Sequence, residues 1–338
     1  MASLLESTIC GLNMGKGNGS NNQNTIFGTC AGNSFTSGNY NSAIGFCAGR
    51  ATCGSHNVSL GYKAGFAASC GCYNVFVGGL AGATSYNGSH SVIVGQNAGY
   101  FTSCCSVGIG NQAFRTGCPE RSVALGKTSL CNSALDSTAI GVEASKTSSC
   151  DLMVSVGWRA GGSTGGDCTV NIGAMAGFYN NPTNGVNIGF NIYTAYGNNR
   201  FILGKYGNSN AYVWSNWQNV SDSRDKIEIN ELPNNLGLNF IRKLRPVSFK
   251  YDYRKEYMFK CGFEHGIKDG TLKKSELNYG FLAQEIKQSA DELNISFDAV
   301  SYDKYSDEYS LKIIELLAPI IKSIQELNIE LDNIEKQI

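Results

Sequence analysis

Between residues 25 and 204, short apolar runs alternate with polar, turn-forming segments at a nearly fixed period. The unit reads Asn-x-x-(Ile/Val)-Gly-x-x-Ala-Gly, with pivotal glycines Gly28, Gly45, Gly61, Gly78, Gly95, Gly110, Gly126, Gly141, Gly157, Gly173, Gly189 and Gly204. The intervals between them are 17, 16, 17, 17, 15, 16, 15, 16, 16, 16 and 15 residues, averaging 16. Alanine follows three residues after the pivot in nine of the twelve units, from Ala31 to Ala176. Runs such as Val92-Ile93-Val94 and Val186-Asn187-Ile188 predict short strands. A glycine closing each run predicts a bend or close approach that a Cβ would forbid. The Ser, Asn, Thr and Gly between runs are turn formers. Sixteen residues are too few for a helical repeat and suit one coil of a β-solenoid.

The predicted N-terminal fold is therefore all-β, a parallel β-roll or β-solenoid over residues 25–208. At ~4.8 Å per coil the rod would be about 55–60 Å long. One coil of this length encloses little apolar volume, which predicts several chains sharing a core, three being the obvious number. Residues 1–24 read as a flexible lead-in. Their Met14-Gly15-Lys16-Gly17-Asn18-Gly19-Ser20 stretch lacks both the spacing of a phosphate loop and a preceding strand. Residues 209–220, with Ala211-Tyr-Val-Trp-Ser-Asn-Trp217, read as a cap over the last open strand edge.

From Ser221 the periodicity changes. Leu236 to Leu244 has helical spacing and stops before Pro246. Pro246-Val-Ser-Phe-Lys-Tyr251 predicts a strand, and Gly280-Phe-Leu-Ala-Gln-Glu-Ile286 the opening of a second helix. Residues 252–278 are a charged excursion, a hairpin or a loop. At the end, Ile313, Leu317, Ile320, Ile324, Leu327, Leu331, Ile334 and Ile338 are spaced alternately 4 and 3 apart, the seam of a coiled coil over 311–338. Leu or Ile at a with Ile-rich d positions favours three or four strands over two. Pro319 predicts a kink early in this helix. The whole is an α/β module over residues 221–338 ending in a coiled coil of three or four strands.

Composition sharpens the boundary. Of 41 Gly, 36 precede Ser221, as do 12 of 13 Cys, whereas 38 of the 54 charged residues follow from Ser221 onward. With 27 basic and 27 acidic residues there is no basic excess, so nucleic acid is not an expected partner. Met1-Ala-Ser-Leu-Leu-Glu6 has no basic n-region or apolar run of signal length, and no window reaches ~20 apolar residues. Synthesis in a cytosol without a signal peptide or membrane insertion is the expectation.

Thirteen cysteines cannot all pair within one chain, and Cys70-Gly-Cys72 and Cys104-Cys105 lack the spacing of a structural zinc site. No metal or cofactor is expected. Cys53, Cys70, Cys104, Cys118 and Cys150 each lie eight or nine residues after their pivot and should stack along one edge. That column is either a ladder of small side chains at a crowded turn or a set of thiols that pair on reaching an oxidising medium.

Ser221-Asp222-Ser223-Arg224-Asp225-Lys226 places a hydroxyl nucleophile five residues before an amine. Lysine can serve as the base for a serine when burial lowers its pKa. Arg224, with Asp222 beside it, could help depress that pKa or hold a developing oxyanion. A solvated loop with idle charges has the same residues, so spacing alone leaves both readings open.

The repeats resemble the head repeats of trimeric autotransporter adhesins, whose units carry a similar apolar-Ile-Gly-x-x-Ala pattern. That resemblance implies a trimeric parallel β-roll. Beyond the boundary, Ser221-Asp222-x-Arg224-x-Lys226, Leu244-Arg-Pro-Val-Ser-Phe249, Gly280-Phe-Leu-Ala-Gln-Glu285 and the terminal coil together resemble the intramolecular chaperone domain of endosialidases and other phage tail fibres, the peptidase S74 family. This implies a homotrimer that assembles the fibre ahead of it and then releases itself. Ser221 would be the nucleophile, Lys226 its general base and Ser221–Asp222 the scissile bond, although serine attack on the preceding carbonyl would cut Val220–Ser221. A virion fibre that meets a host surface receptor or glycan is the implied setting. The alternatives are a fibre that keeps its C-terminal module and, more remotely, a membrane-tethered transcription factor, which no basic segment supports.

Overall fold

The computed structural model describes residues 23–204 and 219–338, except 34–37, 51–52, 68–69, 85–87, 101–103, 117–119, 133, 149, 163–165, 179–182, 193–197, 255, 258–267 and 305–306. The expected lead-in and the aromatic cap over Ala211–Trp217 lie outside these residues, apart from the last two of the lead-in. The chain divides into two compact units, one ending at Ala211 and one beginning at Tyr212.

The first unit is a parallel β-solenoid. Twelve strands of three residues, from β1 (Thr25–Phe27) to β12 (Phe201–Leu203), form one sheet in sequence order. Each strand pairs with its neighbours in parallel, as in Val75↔Val92 and Phe76↔Ile93. The middle residue of a strand points inward; Ala43, Phe76, Ile93, Ala124 and Ala139 are all buried. Flanking positions face outward, where Ile44, Ile109, Ile140 and Ile172 are exposed. Alternation with a period of two is the ordinary geometry of a strand.

Two properties force glycine at the pivots. All twelve have φ between +119° and +147°, a region closed to side chains. A Cβ on Gly61 would also lie 2.7 Å from the carbonyl oxygen of Gly78, the pivot of the next coil. The alanine three residues later is buried in every coil that carries it.

The asparagine that opens the repeat has a separate task. Asn41, Asn57 and Asn74 are buried and stacked, each Oδ1 accepting from the backbone N–H of the next coil's equivalent residue at 2.9–3.0 Å. Their Nδ2 groups donate to Gly54, Gly71 and Gly88 carbonyls at 2.7–2.9 Å. Ser91, Ser106, Ser122 and Ser137 continue the column by hydroxyl acceptance. Buried amides and carbonyls at the bend are satisfied in this way.

The interior is filled by the chain's own Ala, Phe76, Ile93, Phe114 and Leu130. Each coil thus buries a set of its own apolar side chains. Phe76 fits where Gly65 and Gly82 leave room, a Cβ at either being blocked by its ring.

The cysteines do not form one edge column. Coil length varies, and the register is kept relative to the following pivot: the backbone N–H groups of Tyr73, His90 and Arg121 bond the carbonyls of Ser55, Cys72 and Cys104, each pair locked at fixed offsets before its glycine. Cys53 and Cys70 both lie eight residues before the next pivot, but Cys104 lies six and Cys150 seven before theirs. Cys118 lies outside the described residues. Because the intervals differ, counting from the preceding glycine shifts these cysteines against one another.

The second unit is α/β. After a 3-10 turn at Asn234–Leu236 comes the short helix α1 (Leu238–Ile241). Strands β13 (Val247–Phe249) and β14 (Asn278–Gly280) pair antiparallel, and α2 (Ala283–Glu292) follows. A second antiparallel hairpin, β15 (Val300–Asp303) with β16 (Glu308–Leu311), was not foreseen, although Val300-Ser-Tyr and Tyr309-Ser-Leu311 alternate in the expected way. The chain ends in α3 (Leu317–Glu335), preceded by a 3-10 turn at Ile313–Leu316. Leu236, Phe240, Ile286, Ala290, Ile295 and Leu316 form its core.

Pro319 produces no interior break. The α-helix begins at Leu317, so Pro319 sits in the first turn, where its missing N–H has no helical partner to lose.

Candidate functional site

The Ser–Lys pair is built by one local turn. Asp222 has extended backbone angles and caps a 3-10 turn at Ser223–Asp225, its Oδ1 accepting from the Arg224 N–H at 2.9 Å. Asp is suited to this because a short carboxylate reaches the free N–H two residues on. The turn closes with Lys226 N–H donating to the Ser223 carbonyl at 3.2 Å. Reversing the chain over these residues returns the lysine side chain to Ser221. Lys226 Nζ lies 2.6 Å from Ser221 Oγ and 3.5 Å from the Ser221 carbonyl oxygen. One amine therefore touches both the hydroxyl and the carbonyl of the Ser221–Asp222 peptide bond.

Arg224 turns toward Asp222 instead. Its Nη2 and Nε donate to the carboxylate at 2.6 to 3.1 Å. The guanidinium beside it, and then the Arg224 backbone N–H, hold the Asp222 carboxyl below the usual carboxylate range. This pair stiffens the turn that carries Lys226.

Ser221 and Lys226 are both exposed. So are three apolar neighbours that the sequence reading passed over, Val220 at 91%, Ile227 at 89% and Ile229 at 70%. Together they make a small exposed apolar patch next to the Ser221–Lys226 contact. The alternation Ile227-Glu228-Ile229 was the available signal.

Two of the separated blocks meet. Arg245 clips the Glu285 carboxylate with both Nε and Nη2, and Val247 pairs with Gly280 across β13–β14. The Leu244–Phe249 and Gly280–Glu285 segments are thus one strand pair and one ion pair.

The terminal seam divides. Ile320 packs on the unit's own core beside Leu316. Ile313, Leu317, Ile324, Leu327, Leu331, Ile334 and Ile338 are exposed, each by about half or more. His56 and His90, scattered in sequence, stand in one outer column of the solenoid with Tyr40 and Tyr73, successive rings 4.7–5.1 Å apart.

The chain thus comprises a parallel solenoid and, after it in sequence, an α/β unit that opens on Ser221 and Lys226 and closes on a helix with exposed apolar residues. Residues 221–295 match the peptidase S74 family model, chaperone of endosialidase. The match begins on Ser221 and runs through α2, stopping before the β15–β16 hairpin. No curated protein and no solved structure matches the chain. No described helix is long and apolar enough to cross a membrane.

Proposed function

We propose that the chain is a homotrimeric, virion-type fibre whose C-terminal unit aligns three copies, drives folding of the solenoid and then cuts itself free at Ser221. The observation that carries this reading is the 2.6 Å contact between Lys226 Nζ and Ser221 Oγ at the first residue of the matched segment. In the proposed reaction Lys226 takes the hydroxyl proton as Oγ attacks a carbonyl carbon, then passes that proton to the departing amine. Hydrolysis of the resulting ester completes a single turnover. The resemblance implies the Ser221–Asp222 bond, whereas attack on the preceding carbonyl breaks Val220–Ser221.

A lysine acts as a base only as the free amine, and burial favours that form. In the single chain the pair is open to water, so the reaction requires a covering surface. Exposed Val220, Ile227 and Ile229 around the pair support a second chain as that cover. Exposed seam residues on α3 support the same assembly, as do Val92, Ile109, Ile140, Val154 and Ile172 on the outer sheet face.

The reason for a separate chaperone lies in the repeat. Slipping by one coil preserves most contacts of a regular solenoid, so register is weakly specified from within. A non-repeating trimer at one end supplies chain number and alignment. Release afterwards leaves a product held by its unfolding barrier. The free fibre would then meet a host surface receptor or glycan.

A denaturing gel of the purified chain tests the chemistry. Cleavage yields fragments of about 220 and 118 residues by position in the 338-residue chain, and Ser221→Ala or Lys226→Ala each leaves one band, while Ser223→Ala still cuts. N-terminal sequencing of the released fragment distinguishes a start at Asp222 from one at Ser221. If all three variants are cut like wild type, the Ser–Lys peptidase reading fails; if the wild-type chain itself stays a single band, the second reading holds, a fibre that retains its C-terminal unit, favoured by the open position of Ser221 and Lys226.

A further inference from the structure

Cys53 and Cys70 are the two thiols that coil register brings face to face at an accessible edge. Their sulfurs lie 2.8 Å apart, one coil separating them in sequence. The next residue of each chain segment is pinned from inside: Asn41 Nδ2 donates to the Gly54 carbonyl at 2.9 Å and Asn57 Nδ2 to the Gly71 carbonyl at 2.8 Å. Both asparagines are buried, so the backbone beside each cysteine is held in place by the solenoid's own ladder. Coils stacked at ~4.8 Å fall inside the ~4.4–6.8 Å Cα separation that a disulfide spans. The sulfurs need to close from 2.8 Å to the ~2.05 Å of an S–S bond.

Access separates this pair from its counterpart. Cys30 and Cys47 also share a column, two residues after their pivots, but Cys47 is buried and its thiol is pushed up, chiefly by that burial. Cys70 is exposed and Cys53 partly so. Cys70 is the more open of the two and so meets an external oxidant first; the hydrogen bond to Cys70, followed by burial, raises the Cys53 thiol.

We infer that Cys53 and Cys70 form an intrachain redox staple that joins adjacent coils when the fibre meets a low-molecular-weight disulfide such as oxidised glutathione. The Cys70 thiolate attacks one sulfur of that disulfide, whose S–S bond breaks and releases one glutathione thiolate. The Cys53 thiolate then attacks the Cys70 sulfur of the mixed disulfide, forming the Cys53–Cys70 bond and releasing the second glutathione. The two cysteine protons leave to solvent or to the released thiolates. The protein loses two electrons and the external disulfide gains them. A solenoid comes apart by peeling coils from its ends. A covalent link between two coils near the N-terminal end stops that peeling at the link. The inference is independent of the chaperone and cleavage readings.

The test uses the full chain, reduced and then treated with oxidised glutathione under native conditions, acid-quenched, alkylated and digested. The expected result is a peptide linking Cys53 to Cys70, formed before any link between Cys30 and Cys47, and present in single-chain bands on a non-reducing gel. Hydrogen exchange in the Asn41–Val77 coils should slow by roughly tenfold or more on oxidation, recover with a reductant, and remain unchanged on oxidation in Cys70→Ser and in Cys53→Ser. Three results overturn the inference: both cysteines recovered as separate glutathione adducts, the link formed between chains, or exchange unaffected by the link.

Discussion

The carboxylate of Glu326, in the terminal helix, accepts a hydrogen bond from the backbone N–H of Leu238 at 2.7 Å, across 88 residues of sequence. Leu238 opens α1, whose N-cap is Gly237 and has no side chain to give. A residue from α3 therefore does the capping and ties the last helix to the first. Lys322 lies 3.3 Å from the same carboxylate.

Glu326→Ala should weaken the C-terminal unit by about 1–2 kcal/mol, the worth of a charge-assisted cap. The Leu238 N–H first, and Lys322 after it, hold the Glu326 carboxyl below its ordinary range. A group with a depressed folded pKa stabilises above its unfolded pKa and loses that contribution as pH falls through the folded one. Wild type should thus lose melting temperature between about pH 4.5 and pH 3 more steeply than Glu326→Gln does. Equal slopes for the two, measured by circular dichroism melts, would count against the cap.

Gly78 and Gly79 are neighbours with opposite expectations. Gly78 has φ +127° and a Cβ there would lie 2.6 Å from the Gly95 carbonyl oxygen, whereas a Cβ on Gly79 meets nothing within 4 Å. Gly78→Ala should destabilise the solenoid by about 3 kcal/mol or more. Gly79→Ala should stay within about 0.5 kcal/mol of wild type. Denaturation curves of the two variants decide it; similar losses would mean that the pivot is not special.

Leu317 and Ile324 are 53% and 60% exposed, while Ile320 between them packs on the unit's own core. Leu317→Asp with Ile324→Asp should dissociate the proposed trimer into folded single chains, because both positions are open within the unit and only the proposed assembly would bury the charges. Ile320→Asp should instead unfold the C-terminal unit. Sedimentation equilibrium together with far-ultraviolet dichroism separates the outcomes. A wild-type chain that sediments as a monomer sinks the trimer reading outright.

Residues 1–221 prepared in two ways test kinetic control. Expressed without the C-terminal unit they should aggregate or misalign, since similar coils offer many near-degenerate registers. Released by cleavage after folding, they should remain a soluble, heat-resistant trimer. Identical melting of the two preparations would reduce the C-terminal unit to an attachment domain.

Much of this molecule could be read from its residues alone. The glycine period determined a parallel solenoid because only glycine can take the pivot's backbone angles while the next coil's carbonyl crosses its face. The inward Ala and the opening Asn were equally visible, since each coil repeats the same local demand. Ser221 and Lys226 were legible as a pair because one short turn, capped by Asp222, closes five residues of chain on itself.

Relations between distant or unevenly spaced residues were decided only in three dimensions. The cysteines were counted from the glycine behind them, yet the sheet aligns each coil on the glycine ahead, which leaves Cys53 and Cys70 together and Cys104 apart. The heptad pattern could not tell Ile320, packed on its own unit's core, from Leu317 and Ile324, which stay exposed, because the spacing is the same for all three. Helical phase alone records that a face is apolar. Which body covers it depends on where α1 and α2 fold back, and no local pattern carries that.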